Sequence, residues 1–229
     1  MLIHPVTSSA PVVPRQTYSL RIIALGDSLI YGFGDPAGGG WVERLRRKWM
    51  AESGPGHALY NLGVRGNRVA QVKTRLKAEF EHRGELNNRV PDLIVLSVGV
   101  NDSPRLGRSD GRNLTYFETF TQQMANLLEL ALQLSPVLFV GMVPVDESRM
   151  PFLDCLYYNH VDQYRYKEAT KQACSCHQIP YLDLFEHWMA RGSSWLLPQL
   201  GPDGLHPNVR GYQVLLQDVL SWKPFSQLG

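Results

Sequence analysis

Short apolar runs alternate along the chain with longer amphipathic segments. The runs are four to six residues long, and most are apolar at nearly every position. Runs of this length predict buried β-strands. The predicted strands span residues 20–25, 58–62, 93–98, 137–142 and 179–182.

The segments between and after these runs carry apolar residues at every third or fourth position, which is typical of one buried helix face. The predicted helices span residues 41–49, 69–80, 117–131, 164–176 and about 211–220. Strands that are apolar on both faces and alternate with helices indicate a parallel sheet that is covered on both sides. We therefore predict an α/β fold, a three-layer α/β/α doubly wound sandwich with a central parallel sheet of about five strands.

Polar and glycine-containing clusters follow the first three predicted strands, and a fourth cluster precedes the last helix. They span residues 26–29, 61–67, 99–102 and 203–208. In doubly wound folds the ligand crevice lies outside the carboxyl ends of the strands. This order of clusters therefore predicts a functional site at that edge of the sheet.

The residues in these clusters suit nucleophilic acyl transfer. Ser28 stands at the turn after the first strand, where its hydroxyl can leave the sheet edge. Asp203 and His206 are three residues apart in a loop, so one turn can bring the carboxylate to the imidazole Nδ1. The free Nε2 would then accept the proton of Ser28. The pattern predicts a Ser28–His206–Asp203 triad.

Acyl transfer also needs donors for the developing oxyanion. The backbone N–H of Ser28, the backbone N–H of Gly66 and the side-chain amide of Asn101 are the candidates. Gly63 is three residues from Gly66 and is an alternative source of the second N–H. Sequence reasoning leaves these two glycines undecided.

Two other segments near these clusters partly match known binding or catalytic motifs. The glycine-rich run 32–40 lacks phosphate-loop spacing, and Tyr31 and Phe33 beside it are candidates for either one wall of an acyl pocket or ordinary packing. Residues 107–111 fit the G-x-S-x-G pattern around Ser109, but no apolar strand precedes them and no helix pattern follows directly. We therefore expect Ser109 to be an ordinary surface serine.

The four clusters, taken in chain order, resemble the blocks of the SGNH hydrolases, the GDSL-type esterases and lipases. Gly26-Asp27-Ser28-Leu29 resembles the first block, Gly66 the second-block glycine, Asn101 the third-block asparagine, and Asp203 with His206 the last block. The resemblance covers the chain from Ile22 to about Tyr212. It implies a flavodoxin-like SGNH hydrolase fold, hydrolysis of carboxylic esters through an acyl-enzyme, and no metal or organic cofactor. A thioesterase or an O-acetyl-sugar esterase would use the same residues, and a catalytically inactive ligand-binding protein of this fold is the alternative.

Composition narrows the class of protein further. The chain has 229 residues, 44% of them apolar, with 23 Lys and Arg against 21 Asp and Glu and a net charge of +2. Such a balance excludes a strongly basic nucleic-acid surface. No apolar run approaches the length of a membrane span, so we expect no integral membrane contact. With no nucleic acid expected either, the resemblance implies a small-molecule ester as the partner.

The remaining expectations concern organisation and location. We expect residues 1–18 to be a flexible lead-in without the features of a secretory signal and residues 19–229 to be one hydrolase domain. Cys155, Cys174 and Cys176 are too few for a disulfide framework. Cys174, Cys176 and His177 lack the further ligands that a zinc site needs. Because so few cysteines fit a reducing compartment, we expect a cytoplasmic location.

Overall fold

Five parallel strands form the central sheet of the computed structural model, which describes residues 19–51, 56–83 and 89–228. The expected lead-in 1–18 lies outside the described residues. The sheet strands are β1 (Arg21–Gly26), β2 (Ala58–Gly63), β3 (Leu93–Ser97), β5 (Val137–Val140) and β7 (Tyr181–Leu182). Two two-residue strands, β4 (Arg105–Leu106) and β6 (Leu156–Tyr157), form a separate antiparallel pair.

The sheet order is β2-β1-β3-β5-β7, with every neighbouring pair parallel. β1 therefore lies inside the sheet, between the strand that follows it and the third strand. The chain reverses its direction of winding at β1, and the crevice of a doubly wound fold forms at that point. The carboxyl ends of β1, β2 and β3 meet there, since Gly26 is paired with Gly63 on one side and with Ser97 on the other.

Helices cover both faces of this sheet. The long helices are α2 (Gly40–Ala51), α3 (Val69–Glu81), α4 (Phe117–Leu134), α5 (His160–Cys176) and α8 (Val209–Ser221). Short helices of four to six residues are α1 (Ser28–Tyr31), α6 (Leu184–Met189), α7 (Ser193–Leu196) and α9 (Lys223–Ser226). No helix within the described ranges is long and apolar enough to cross a bilayer.

The alternation of side chains along β1 explains why both faces need cover. Ile22 and Ala24 are buried in the core that α2 and α8 complete, whereas Ile23 and Leu25 are buried in the core under α3, α4 and α5. A strand buried on both faces has no polar face to leave in water. The structure thus confirms the predicted three-layer α/β sandwich with five parallel strands.

The structure differs from the sequence prediction mainly at element ends. α5 begins at His160 and not at Tyr164, because the Asn159 side chain accepts a hydrogen bond from the Asp162 N–H and caps the helix four residues earlier. The last sheet strand retains only Tyr181 and Leu182 of the predicted residues 179–182.

Candidate active site

The turn after β1 holds Ser28 at the carboxyl edge of the sheet. The Asp27 carboxylate accepts a hydrogen bond from the Leu29 N–H at 2.9 Å and starts α1 with Ser28 as its first residue. A Cβ at Gly26 would meet the Ser97 carbonyl oxygen at 1.9 Å, so only glycine fits between β1 and β3 here. The Tyr212 hydroxyl on α8 lies 3.0 Å from the Phe33 carbonyl oxygen and 3.3 Å from the Ser28 carbonyl oxygen, so its one hydrogen ties α8 to this turn.

The loop before α8 brings His206 to this serine. His206 Nε2 lies 2.9 Å from Ser28 Oγ, and His206 Nδ1 lies 2.7 Å from the Asp203 Oδ2. The second carboxylate oxygen of Asp203 accepts the backbone N–H groups of Leu205 and His206, both at 3.0 Å. The three side chains therefore form a continuous chain of hydrogen bonds, although Ser28 and His206 are 178 residues apart in sequence.

The charge on Asp203 determines which imidazole nitrogen carries the proton. Partial burial opposes ionisation of Asp203, but the hydrogen bonds from the His206 side chain and backbone outweigh it and lower the pKa of the carboxyl. An ionised carboxylate only accepts hydrogen bonds, so Nδ1 of His206 must be the donor. In the neutral imidazole, Nε2 is then the acceptor for the Ser28 hydroxyl proton.

The loop after β2 distinguishes between the two candidate glycines. The Gly63 N–H donates to the Asn61 side-chain oxygen at 3.0 Å, and a Cβ at Gly63 would meet the Tyr31 backbone nitrogen at 2.1 Å. Gly66 has φ of 76° in an exposed turn, and no acceptor for its N–H is found among the described residues. Gly66 thus has an N–H to offer a ligand, whereas the N–H of Gly63 is already bound.

Asn101 lies in a single 3-10 turn after β3 and is almost fully buried. Its side-chain nitrogen donates to the Asn67 carbonyl oxygen at 3.0 Å and, over a longer 3.4 Å, to the Asp27 carboxyl. The Tyr158 hydroxyl donates to its side-chain oxygen at 3.2 Å and so determines which end of the amide faces the site. Of the two amide hydrogens, the one aimed at Asp27 is the more weakly held.

Two buried carboxyls lie behind Ser28 and Asn101. Burial raises the pKa of Asp27 to about 7, a change that the Leu29 N–H opposes and the neighbouring Asp102 reinforces. Burial likewise raises the pKa of Asp102 to about 6, against hydrogen bonds from Thr115 and the Val69 N–H. Both acids therefore change charge near neutral pH, within one residue of a candidate site residue.

The structure adds residues that sequence reasoning did not identify. The Arg75 guanidinium on α3 donates to the Gly26 carbonyl oxygen at 2.7 Å and to the Asn67 side chain at 2.9 Å, tying the serine turn to the Gly66 loop. Tyr158 orients Asn101, and Phe152 packs edge-on against the His206 ring with centroids 5.9 Å apart. None of these has a sequence signal, because each occupies an ordinary position in a helix or loop.

Tyr31 and Phe33 do not line the hollow beside the serine. That hollow has a volume of about 20 Å³. Its lining is mainly apolar and includes Ser28 and His206 together with Leu29, Val98, Val100, Met142, Val143, Leu205 and Pro207. Tyr31 and Phe33 instead line a separate open depression, and Phe33 meets the His206 ring edge-on with centroids 4.7 Å apart.

The cysteine-rich end of α5 does not form a site within the part of the chain that the structure describes. Cys174 is buried in the core and Cys176 is exposed, so the two thiols point to different environments. Burial raises the pKa of the Cys174 thiol to about 12. No group of three His, Cys, Asp or Glu side chains in the described residues is arranged to hold a metal ion.

Comparison with solved structures shows the same fold in several enzymes. The chain is similar to a lipase/acylhydrolase from Enterococcus faecalis at 21% identity, with a TM-score of 0.66 over 88% of this chain and 93% of that one. It is similar to LAE5, an alpha/beta hydrolase enzyme from the metagenome of Lake Arreo, at 17% identity and a TM-score of 0.70, over 94% and 99% of the two chains. A variant of Axe2, an acetyl xylan esterase from Geobacillus stearothermophilus, gives 17% identity and a TM-score of 0.68 over 94% and 97%. None of the curated proteins matches the chain.

Structural similarity at such low identities shows the fold alone, whereas a family model shows which family the chain belongs to. The model of the GDSL-like lipase/acylhydrolase family matches residues 24–214, which include the carboxyl end of β1, the first half of α8 and all four polar clusters of the sequence. This match spans most of the chain and confirms the resemblance to the SGNH hydrolases. The chain therefore belongs to the GDSL-like lipase/acylhydrolase family.

Proposed function

We propose that this chain is a serine esterase that hydrolyses carboxylic esters through an acyl-enzyme on Ser28. The observation that carries the proposal is the geometry around His206. Its Nε2 lies 2.9 Å from the Ser28 hydroxyl oxygen, and its Nδ1 lies 2.7 Å from the Asp203 carboxylate. Both distances are within the hydrogen-bond reach that proton transfer requires.

The reaction proceeds in two halves. Ser28 Oγ attacks the ester carbonyl carbon as its proton passes to His206 Nε2, and the resulting imidazolium is stabilised by Asp203. Collapse of the tetrahedral intermediate breaks the bond to the alcohol, which leaves with the proton from Nε2. Water then attacks the acyl-enzyme, gives its proton to Nε2 and releases the acid, and Ser28 recovers its proton from the imidazolium.

The oxyanion of each tetrahedral intermediate would be held by three donors. The N–H groups of Ser28 and Gly66 have no acceptor among the described residues and are available for this role. The third donor is the Asn101 amide, through the hydrogen that contacts Asp27 only at 3.4 Å. Donors that are already positioned lower the barrier because they need no reorganisation as charge develops on the carbonyl oxygen.

The size of the hollow beside Ser28 favours a short acyl chain. A volume of about 20 Å³ holds about one water molecule or methyl group, and the apolar side chains that line it favour a methyl. An acetyl group would place its methyl there, while a longer acyl chain would extend beyond the hollow. We propose acetyl esters as the preferred substrates, with kcat/KM falling as the acyl chain lengthens.

The test is hydrolysis of 4-nitrophenyl esters by the wild-type chain and two serine variants. We expect Ser28→Ala to lower kcat by at least about a thousandfold and to abolish labelling by a fluorophosphonate. Ser109→Ala is the matched control, because Ser109 is the serine of the Gly-x-Ser-x-Gly run 107–111 but is exposed in a turn. Circular dichroism and thermal melting establish that both variants fold.

Each result of this test has a definite meaning. Equal turnover by Ser28→Ala and the wild type would overturn Ser28 as the nucleophile. A folded wild-type protein with neither esterase turnover nor labelling would favour the inactive ligand-binding alternative. A rate that rises from acetyl to butanoyl and hexanoyl esters would overturn the short-chain preference alone.

A further inference from the structure

An arginine in the loop after β2 stacks on the aromatic ring that touches His206. The guanidinium carbon of Arg65 lies 3.6 Å from the centroid of the Phe33 ring. The same ring meets the His206 imidazole edge-on, with centroids 4.7 Å apart. A permanent positive charge therefore lies one aromatic ring away from the candidate general base.

Apart from the Phe33 ring, this positive charge has no partner among the residues that the structure describes. Arg65 is exposed, and among the described residues its side chain makes neither an ion pair nor a hydrogen bond. Other arginines around the same face do have partners, since Arg44 binds Asp35 at 2.7 Å and Arg46 binds Glu43 at 2.8 Å. A guanidinium stacked on a ring keeps its N–H edges in the stacking plane, where they are free to bind a planar anion.

The surroundings leave room for a ligand next to this arginine. Phe33 also lines the open depression of about 680 Å³, together with Tyr31 and Asn61. The two carboxylates in that depression, Asp35 and Glu43, are the ones already paired with arginines. Among the described residues, Arg65 therefore carries a charge that neither carboxylate of this depression compensates.

We propose that Arg65 binds an oxyanion group, either a carboxylate or a phosphate, on the alcohol part of the ester and selects anionic esters over neutral ones. This inference rests on the proposed esterase function. His206 protonates the departing alcohol, and Phe33 touches the His206 ring without lining the hollow assigned to the acyl group, so we place the leaving group on the Phe33 side. Phe33 holds the guanidinium fork at that border, and a fork binds carboxylate or phosphate oxygens in pairs.

The experiment compares acetyl esters that differ in the charge of the leaving group. 4-Acetoxybenzoate carries a carboxylate, 4-acetoxybenzamide is its neutral analogue of the same shape, and 4-acetoxyphenyl phosphate carries a phosphate. For Arg65→Gln we expect the ratio of kcat/KM for the anionic ester to that for the neutral ester to fall about ten- to a hundredfold. Arg65→Lys retains the charge without the fork and is expected to give a smaller fall.

The chain offers a matched control for these variants. Arg165 is also exposed, also lacks an ion pair among the described residues, and stacks on Phe117 with its guanidinium carbon 3.8 Å from the ring centroid. Arg165→Gln removes the same charge from an arginine that stacks on Phe117 and not on the ring next to His206. We expect it to leave the ratio at the wild-type value.

The outcomes separate this inference from the function on which it rests. An active wild-type enzyme whose ratio is unchanged in Arg65→Gln overturns the inference, including the case in which both esters lose activity equally because Arg65 only supports Phe33. An equal fall of the ratio in Arg165→Gln also overturns it, because net charge would then be the cause. A wild-type protein inactive on all three esters overturns the proposed function itself. With activity present, the better of the two anionic esters identifies carboxylate or phosphate as the group bound.

Discussion

Raising the pH from 5 to 7 is expected to weaken the fold through the buried carboxyl of Asp27. Burial raises its pKa from 3.8 to about 7, with the Leu29 N–H opposing that change and Asp102 adding to it. Between these two values the folded protein binds a proton that the unfolded chain has already released. Stability therefore falls as the pH rises through this interval and levels off above the folded pKa.

The magnitude follows from the width of the interval. Each pH unit between the two pKa values changes the free energy of unfolding by about 1.4 kcal/mol. A rise from pH 5 to pH 7 therefore removes about 2 kcal/mol, because the slope halves as the pH reaches the folded pKa. This loss is a substantial share of the roughly 5–15 kcal/mol that holds a domain folded. Asp102, whose pKa is raised by burial to about 6, adds a smaller loss that is complete at lower pH.

The assay is urea unfolding at pH 5, 6, 7 and 8, followed by tryptophan fluorescence. Asp27→Asn should remove most of the pH slope and leave the smaller part that belongs to Asp102.

Asp35→Asn is the control, because Asp35 is similarly buried but its pKa is lowered. Burial of Asp35 opposes ionisation, yet the Arg44 side chain and two backbone N–H groups outweigh it. Removing a group that is ionised throughout the range should lower stability equally at every pH. A slope in Asp27→Asn equal to that of the wild type would refute the assignment to Asp27.

Two further substitutions, with Gly107→Ala as the control for the first, test how the proposed oxyanion side of the site is held. Gly66→Ala and Gly107→Ala each place a side chain at a positive φ with nothing within 4 Å of the new Cβ, so both should lose about 1–2 kcal/mol of stability. Only Gly66→Ala should also lower kcat, by at least about tenfold, and equal kcat values would remove Gly66 from the site. Arg75→Ala should lower the free energy of unfolding by about 2–4 kcal/mol and kcat by at least about tenfold, because it frees the serine turn from the Gly66 loop. An unchanged kcat in folded Arg75→Ala would show that Arg75 only stabilises the protein.

The layers of the fold were predictable because burial on both faces of a strand leaves a direct trace in the sequence. Ile22 and Ile23 are adjacent and fully buried on opposite faces of β1, which requires an uninterrupted apolar run. The short helices α1, α6, α7 and α9 leave no such trace, since one turn of helix is too short to show a period. The β4–β6 pair likewise consists of only two residues in each strand.

The residues of the candidate site likewise differ in whether the sequence reveals them. Ser28, Asp203 and His206 could be proposed because their side chains are chemically distinctive, because Ser28 directly follows a predicted strand, and because Asp203 and His206 share one loop. Arg75 could not, because its partners are a backbone carbonyl and an asparagine side chain that only the fold brings near it. Helix α3 presents Arg75 in a sequence context that is equally typical of a solvent-exposed arginine.

The two glycines of the β2 loop show why residue type alone leaves a role undecided. A glycine is required either where another group comes too close for a Cβ or where the backbone needs a positive φ. Gly63 meets the first requirement, because the Tyr31 backbone nitrogen occupies the place of its Cβ, and Gly66 meets the second, with φ of 76° and open space around it. In sequence the two requirements look the same. Only the second leaves an exposed N–H beside an open site, so the choice between the glycines depends on a dihedral angle and a hydrogen bond that the fold determines.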